Sequence, residues 1–354
     1  MLGNAATIGG EHRGQSGEIS GTPKIAMSSG PRRTAFLTFG GGKTWPEAAR
    51  RLQKQAAATG VFSDVFGETS DAFFADNPDF ARHKSFIESN ARGWGYWIWK
   101  PYLILKYMDR LEAGDIIFYL DAGCEILPEN RAGFEPLLRH IVSNGNAFFD
   151  YSRYAVFNLA FWSKQDLLDQ LQQEFGSVDW LRTPKIWAGG FGLMKSDENI
   201  AFLRDWLRLA TQDDYHLVDD TPSRSPQMYT FFEHRHDQSI LSGLKAVYKF
   251  PDSQPASDFD YVNIGQDMME VALAQPFLMS RNATGDSRIE QMKRSPLPAG
   301  ATTSTHQVAN GLTQKHMAML IKLDLLREDS LCYCGSGKRF THCHGAFVDL
   351  RSSG

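Results

Sequence analysis

Apolar positions along the chain fall into short blocks whose period switches between that of a strand and that of a helix. Residues 34–39, TAFLTF, form a β-prone run that ends in Gly40-Gly41-Gly42. Beyond it Trp45, Ala48, Ala49, Leu52 and Ala56 recur on one helical face, with Pro46 suited to the first turn, where no N–H is needed. The unit returns more clearly from Pro101. Leu103, Ile104, Tyr107, Met108 and Leu111 share a face, Gly114 stops the helix, and the wholly apolar Ile116–Leu120 reads as a buried strand. Further β-like runs are expected at 147–150, 156–162, 186–194 and 246–250. Helical patterns at Leu167/Leu168/Leu171/Phe175 and Ile200/Leu203/Leu207/Ala210 separate them. Strands alternating with helices predict an α/β fold with a sheet flanked by helices.

Outside this region the pattern changes. Residues 1–33 are rich in Gly and Ser and poor in aromatics, which predicts a disordered tail. Periodicity weakens after about residue 253, residues 286–312 read as a linker, and 313–330 read as a helix around Leu320, Leu323 and Leu326. With 354 residues, 42% apolar and 24 Phe, there is material for one large core. A net charge of -4 gives no general attraction to nucleic acid. No signal-peptide h-region and no run long enough to span a bilayer occurs, so a cytoplasmic protein is expected.

Three of the four cysteines crowd into "CYCGSGKRFTHCHG" near the C-terminus. Cys332, Cys334, Cys343 and His344 supply four soft ligands, enough for a closed tetrahedral zinc site of structural type, with His342 a rival for the fourth place. The segment resembles the SEC-C motif, the zinc-binding tail known from the SecA translocase. That resemblance favours His344, assigns the motif to 331–347 and implies docking to a protein partner.

Candidate chemistry in the larger region starts at "YLDAGCEI". Residues just past the carboxyl ends of strands line the ligand crevice of an open α/β sheet, so Asp121 either reaches a ligand or merely begins a turn. Gly123 leaves room for a ligand, and Glu125 offers a second carboxylate. Upstream, "RGWGYWIWKP" places three tryptophans and a tyrosine between Arg92 and Lys100: aromatic faces suit sugar or base rings, and cations suit phosphate. "WAGGFGLMKS" contributes Gly189 and Gly190, a pair that permits close ligand approach. "EHRHDQSILSGL" gathers Glu233, Arg235, His236 and Asp237 before an apolar helix, with Asp237 either a catalytic carboxylate or the helix N-cap. Two other motifs fail. "FGGGKTW" has Leu37 where a phosphate-binding loop requires glycine, and no G-x-S-x-G elbow surrounds Ser239 or Ser242.

Taken in order, these segments resemble a bacterial GT-A-type glycosyltransferase of the kind related to polysaccharide or lipopolysaccharide synthesis, over roughly residues 34–250. The resemblance implies a GT-A-like, Rossmann-related mixed sheet over 34–285, a nucleotide-sugar donor and a glycan or other hydroxyl acceptor. It implies that Asp121, Gly123, Arg92, Lys100, Gly189, Gly190 and His236 hold the donor, with Asp237 the first choice of base and Glu233 the second. Asp121 takes the first place of the family's Asp-x-Asp, but Gly123 takes the third. A divalent cation, Mn2+ or Mg2+, at Asp121 is therefore one option, and neutralisation of the diphosphate by Arg92, Lys100 or Arg235 is the other. A binding protein that has lost catalysis, and an adaptor for ribosome or secretion machinery acting through the zinc tail, are the alternatives.

Overall fold

The computed structural model describes residues 32–152, 157–251, 253–259 and 274–294, together with residue 339. In chain order the elements are β1 (Thr34–Gly40), α1 (Pro46–Thr59), β2 (Asp64–Thr69), α2 (Phe73–Asp76), α3 (Lys84–Ser89), α4 (Gly93–Tyr96), α5 (Trp99–Met108), β3 (Ile116–Leu120), β4 (Glu125–Ile126) and α6 (Phe134–Asn144). They continue with β5 (Asn146–Ala147), β6 (Phe149–Asp150), α7 (Leu159–Trp162), α8 (Gln165–Phe175), β7 (Gly190–Met194), α9 (Asp197–Thr211), α10 (Asp237–Val247), β8 (Gln254–Pro255), β9 (Phe277–Leu278) and α11 (Arg288–Arg294).

The main sheet runs β2-β1-β3-β7-β5. β1 pairs in parallel with β2 and β3, whereas β7 pairs antiparallel with both β3 and β5. This is the mixed sheet expected. Every residue of β1 and β3 is buried, because helices cover both faces. Alternate side chains of β3 show how: Phe118 packs edge-on against Phe134 of α6, while the next residue, Tyr119, meets Phe191, which in turn packs on Trp206 of α9. α5 lies on the α9 side. Gly114, at φ +91, makes the turn that delivers the chain from α5 into β3.

Several sequence expectations are corrected. The run at 156–162 is no strand: its described part closes with α7, whose four residues are all buried. Burial on every side erases the alternation that separates a strand from a helix in sequence. Residues 246–250 end α10 and turn, rather than forming a strand. The run at 186–194 pairs into the main sheet only from Gly190 onward. Residues 286–294, expected to begin the linker, instead include α11, which is docked to the body through a 2% exposed Ile289. The expected tail at 1–31, the remainder of the linker, the helix at 313–330 and the zinc motif lie outside the described residues, Arg339 apart.

Candidate active site

Three elements far apart in sequence deliver one charged group each to a single point. Asp121 is the first residue past β3. Its N–H donates to the Gly189 carbonyl at 2.7 Å, and its own carbonyl accepts from Cys124 at 2.9 Å. It therefore begins a turn and also presents a carboxylate. Asp237 opens α10, and Lys100 lies in the first turn of α5. The Lys100 ammonium, 1% exposed, donates to Asp237 Oδ2 at 2.8 Å and to the Ala188 carbonyl at 3.0 Å, and stands 3.2 Å from Asp121 Oδ1. The Tyr119 hydroxyl donates to the same Asp121 oxygen at 2.6 Å.

The electrostatics follow from burial. Removal from water opposes the charged ammonium, but Asp121 and Asp237 outweigh it and raise the Lys100 pKa. Burial pushes Asp237 up to about 6 against the pull of Lys100, with Asp121 adding to the rise. Asp237 is thus ionised near neutrality but more basic than an ordinary aspartate. It does not cap its helix: His236 occupies the N-cap position, no side chain caps α10, and the carboxylate turns to Lys100.

These groups line a cleft of about 880 Å³. Part of its wall comes from residues 93–97, all with positive φ: 58, 51, 82, 53 and 61 degrees. Tyr96 and Trp97 donate to the carbonyls of Arg92 and Gly93, which closes one left-handed helical turn. Three of the five residues are not glycine, at about 1–2 kcal/mol each. Gly95 is required, since a β-carbon there would come within 2.6 Å of Ile87. The turn places Arg92, Trp94 and Trp97 along the cleft. His236, at φ 53, is a further strained residue, next to Asp237.

Of the residues singled out in sequence, Arg92, Lys100, Asp121, Gly123, Gly189, His236 and Asp237 line the cleft. Glu233 stands behind the wall, shared by Arg92 at 2.9 Å and Arg235 at 3.1 Å. Gly189 and Gly190 do not open space for a ligand: the Trp187 ring fills the volume their β-carbons would take. Gly123 faces the Trp45 ring in the same way, at 3.1 Å. Glu125 is corrected outright. It is 0% exposed and accepts from Asn282, Ser287 and the N–H of Arg288, far from any ligand role.

Burial lowers His236 to about 4, so its ring is neutral near pH 7 and gives a diphosphate no charge. With Nδ1 against the Val218 carbonyl at 2.8 Å, that nitrogen carries the proton. Nε2 faces Asp220 at 3.6 Å and makes no hydrogen bond. Among the described residues no group of three His, Cys, Asp or Glu side chains is placed to hold a metal ion. A cation at Asp121 would compete with Lys100 and Tyr119 for Oδ1.

Sequence reading missed Trp45, Lys185, Trp187 and Arg281 in the cleft. Trp45 and Trp187 lie within three residues of a glycine, and no motif marks Lys185 or Arg281.

No family model matches the chain, and no curated protein matches it either. Among solved structures, the crystal structure of a glycosyltransferase involved in the glycosylation of the major capsid of PBCV-1 is similar over 74% of this chain and 98% of its own, with 11% identity and a TM-score of 0.35. Mouse xyloside xylosyltransferase 1, in its apo form, is similar over 68% of this chain and 90% of its own, with 11% identity and a TM-score of 0.36. Likeness at that level leaves the chemistry of this cleft to be read from its own residues. Among the described residues no helix is long and apolar enough to cross a membrane.

Proposed function

We propose that the chain is a glycosyltransferase that moves a sugar from a nucleotide-sugar to a hydroxyl acceptor. The observation that carries this reading is the pair of carboxylates, Asp121 and Asp237, brought to one buried ammonium in a cleft walled by tryptophans and cations.

In an inverting transfer, Asp237 takes the proton of the acceptor hydroxyl as that oxygen bonds to the anomeric carbon. The bond from that carbon to the diphosphate oxygen breaks, and its electron pair leaves with the diphosphate. A carboxylate at about 6 is well matched to this step, ionised at pH 7 yet basic enough to help. Asp121 accepts hydrogen bonds from the donor's ribose hydroxyls. Arg92 and Lys100 offset the diphosphate charge, and Lys100 holds the Asp121 oxygen that a Mn2+ or Mg2+ ion would otherwise take. The tryptophan faces suit the base or sugar rings.

Thermal unfolding of the full chain with UDP- and GDP-sugars tests the reading. Stabilisation is expected, since a ligand selective for the folded state raises its melting temperature. Stabilisation by ATP and by no nucleotide-sugar contradicts it.

The zinc tail belongs to the same proposal: the ligand spacing gives Cys332, Cys334, Cys343 and His344 one structural zinc, and the resemblance of the segment to the SEC-C motif implies docking to a protein partner. Metal analysis is expected to find zinc in the purified chain and to lose it in Cys334→Ser; a zinc-free chain contradicts it.

A further inference from the structure

One stretch of the cleft wall has a character that the transfer chemistry does not use. Lys185, 6% exposed, holds its ammonium 5.1, 4.6 and 4.3 Å from the ring centres of Tyr151, Phe157 and Trp162. The Arg235 guanidinium lies 4.9 Å from the same Trp162 ring. Trp162 is itself 1% exposed, so it is a fixed platform that gathers two cations at the cleft. Burial lowers the Arg235 pKa, with Arg92 and Arg281 adding to the effect and Glu233 opposing it, so positive charge is crowded here. Among the described residues Glu88, Asp121 and Asp237 are the carboxylates that line the cleft, the last two facing Lys100, and behind the wall Glu233 is shared by Arg235 and Arg92, so it does not balance the cations gathered here.

Both cations sit on the segments that carry the base side of the site. Arg235 lies just ahead of Asp237, and Lys185 just ahead of Ala188, whose carbonyl holds Lys100. A group bound there lies beside the hydroxyl that Asp237 deprotonates. Aromatic faces give a sugar ring its stacking surface, and cations largely withdrawn from water attract an anion more strongly than surface lysines do.

We propose that Lys185 and Arg235, gathered on Trp162, form an acceptor subsite that selects a sugar carrying an oxyanion, a carboxylate or a phosphate. The proposal rests on the glycosyltransferase reading and deepens it by assigning the acceptor's chemical class.

Matched probes on the full chain test it, with cleft tryptophan fluorescence or calorimetry as the readout. Oligogalacturonate is compared with its fully methyl-esterified form, and glucose 6-phosphate with glucose; the two pairs separate a carboxylate from a phosphate source. One anionic probe is expected to bind roughly tenfold or more tighter than its neutral twin, the scale of one charge-assisted hydrogen bond. Lys185→Gln removes that preference, Lys185→Arg keeps most of it, and nucleotide-sugar affinity is unchanged in both. Equal binding of the twins in both pairs overturns the proposal. So does a Lys185→Gln chain whose loss falls on the nucleotide-sugar, which would give these cations to the donor diphosphate. The twin comparison uses the unaltered chain and stands whether or not Lys185→Gln folds. Failure of every nucleotide-sugar to bind would instead strike the glycosyltransferase reading and leave the anion preference to be judged separately.

Discussion

Asp121 and Glu125 leave the same strand end on one short loop, and the chain treats them in opposite ways. Glu125 is wholly buried, with Oε1 accepting from Asn282 at 3.0 Å and Oε2 from Ser287 at 2.7 Å and the Arg288 N–H at 3.0 Å. It anchors the segment leading into α11. Beneath the same loop, Arg51 donates to the carbonyls of Ala122, Cys124, Asn282 and Thr284, so the turn is clamped from below. Asp121 keeps about a third of its side chain exposed, with Oδ1 held by Tyr119 and Lys100. A strand-end acid serves a ligand when the protein's own donors leave part of it open; when they consume it, the acid is a structural anchor. Glu68 at the end of β2 repeats the second case, bound by Lys106 at 2.6 Å, Tyr107 at 2.8 Å and Asn77 at 2.9 Å.

Substitutions that separate chemistry from anchoring can break this contrast. Asp237→Asn is expected to have the largest effect, a fall in kcat of roughly 10²–10⁴-fold with folding retained, measured as sugar transfer or donor hydrolysis. Near-normal turnover would remove Asp237 from the chemistry. Glu125→Ala should lose about 2–4 kcal/mol of stability in chemical denaturation, because several buried donors lose their acceptor. Below its melting temperature it should still bind donor. If it unfolds no more readily than the parent, the anchor reading fails.

The pH dependence sharpens the contrast next. Asp237 is pushed up to about 6, so it takes a proton, and ceases to be a base, as pH falls through that value. Accordingly, kcat/KM should be flat above about pH 6 and decline roughly tenfold per unit below it. An acid limb centred near 4 would mean that burial does not tune this group. The smallest effect belongs to Asp121→Asn on stability, about 1–2 kcal/mol, since asparagine suits the turn and keeps the Tyr119 partner but takes from buried Lys100 one of its two carboxylates.

The strand–helix alternation was legible because β1, α1, α5 and β3 each carry an unbroken apolar pattern with a Gly or Pro boundary. Asp121, Lys100 and Asp237 were legible individually because each stands at the edge of an apolar run. Their meeting was not, since nothing local links α5 to α10. The reading failed where aromatic residues pack on all sides, as in α7, and where a glycine makes room for the protein's own ring. Gly189 and Gly190 look the same in sequence whether a ligand or Trp187 fills the gap. Glu125 misled because a carboxylate beside a strand end gives no sign of donors that arrive more than 150 residues later in the chain.

The central claim is a division of labour, with donor binding at Asp121 and proton removal at Asp237. Calorimetric titration of a nucleotide-sugar into the full-length parent, Asp121→Asn and Asp237→Asn tests it most directly. Asp121→Asn should bind the donor roughly tenfold more weakly, about 1.4 kcal/mol, because an amide replaces only part of a carboxylate's hydrogen bonding to ribose hydroxyls. Asp237→Asn should bind as the parent does. Parental affinity in Asp121→Asn would contradict the account and leave that aspartate as the start of a turn.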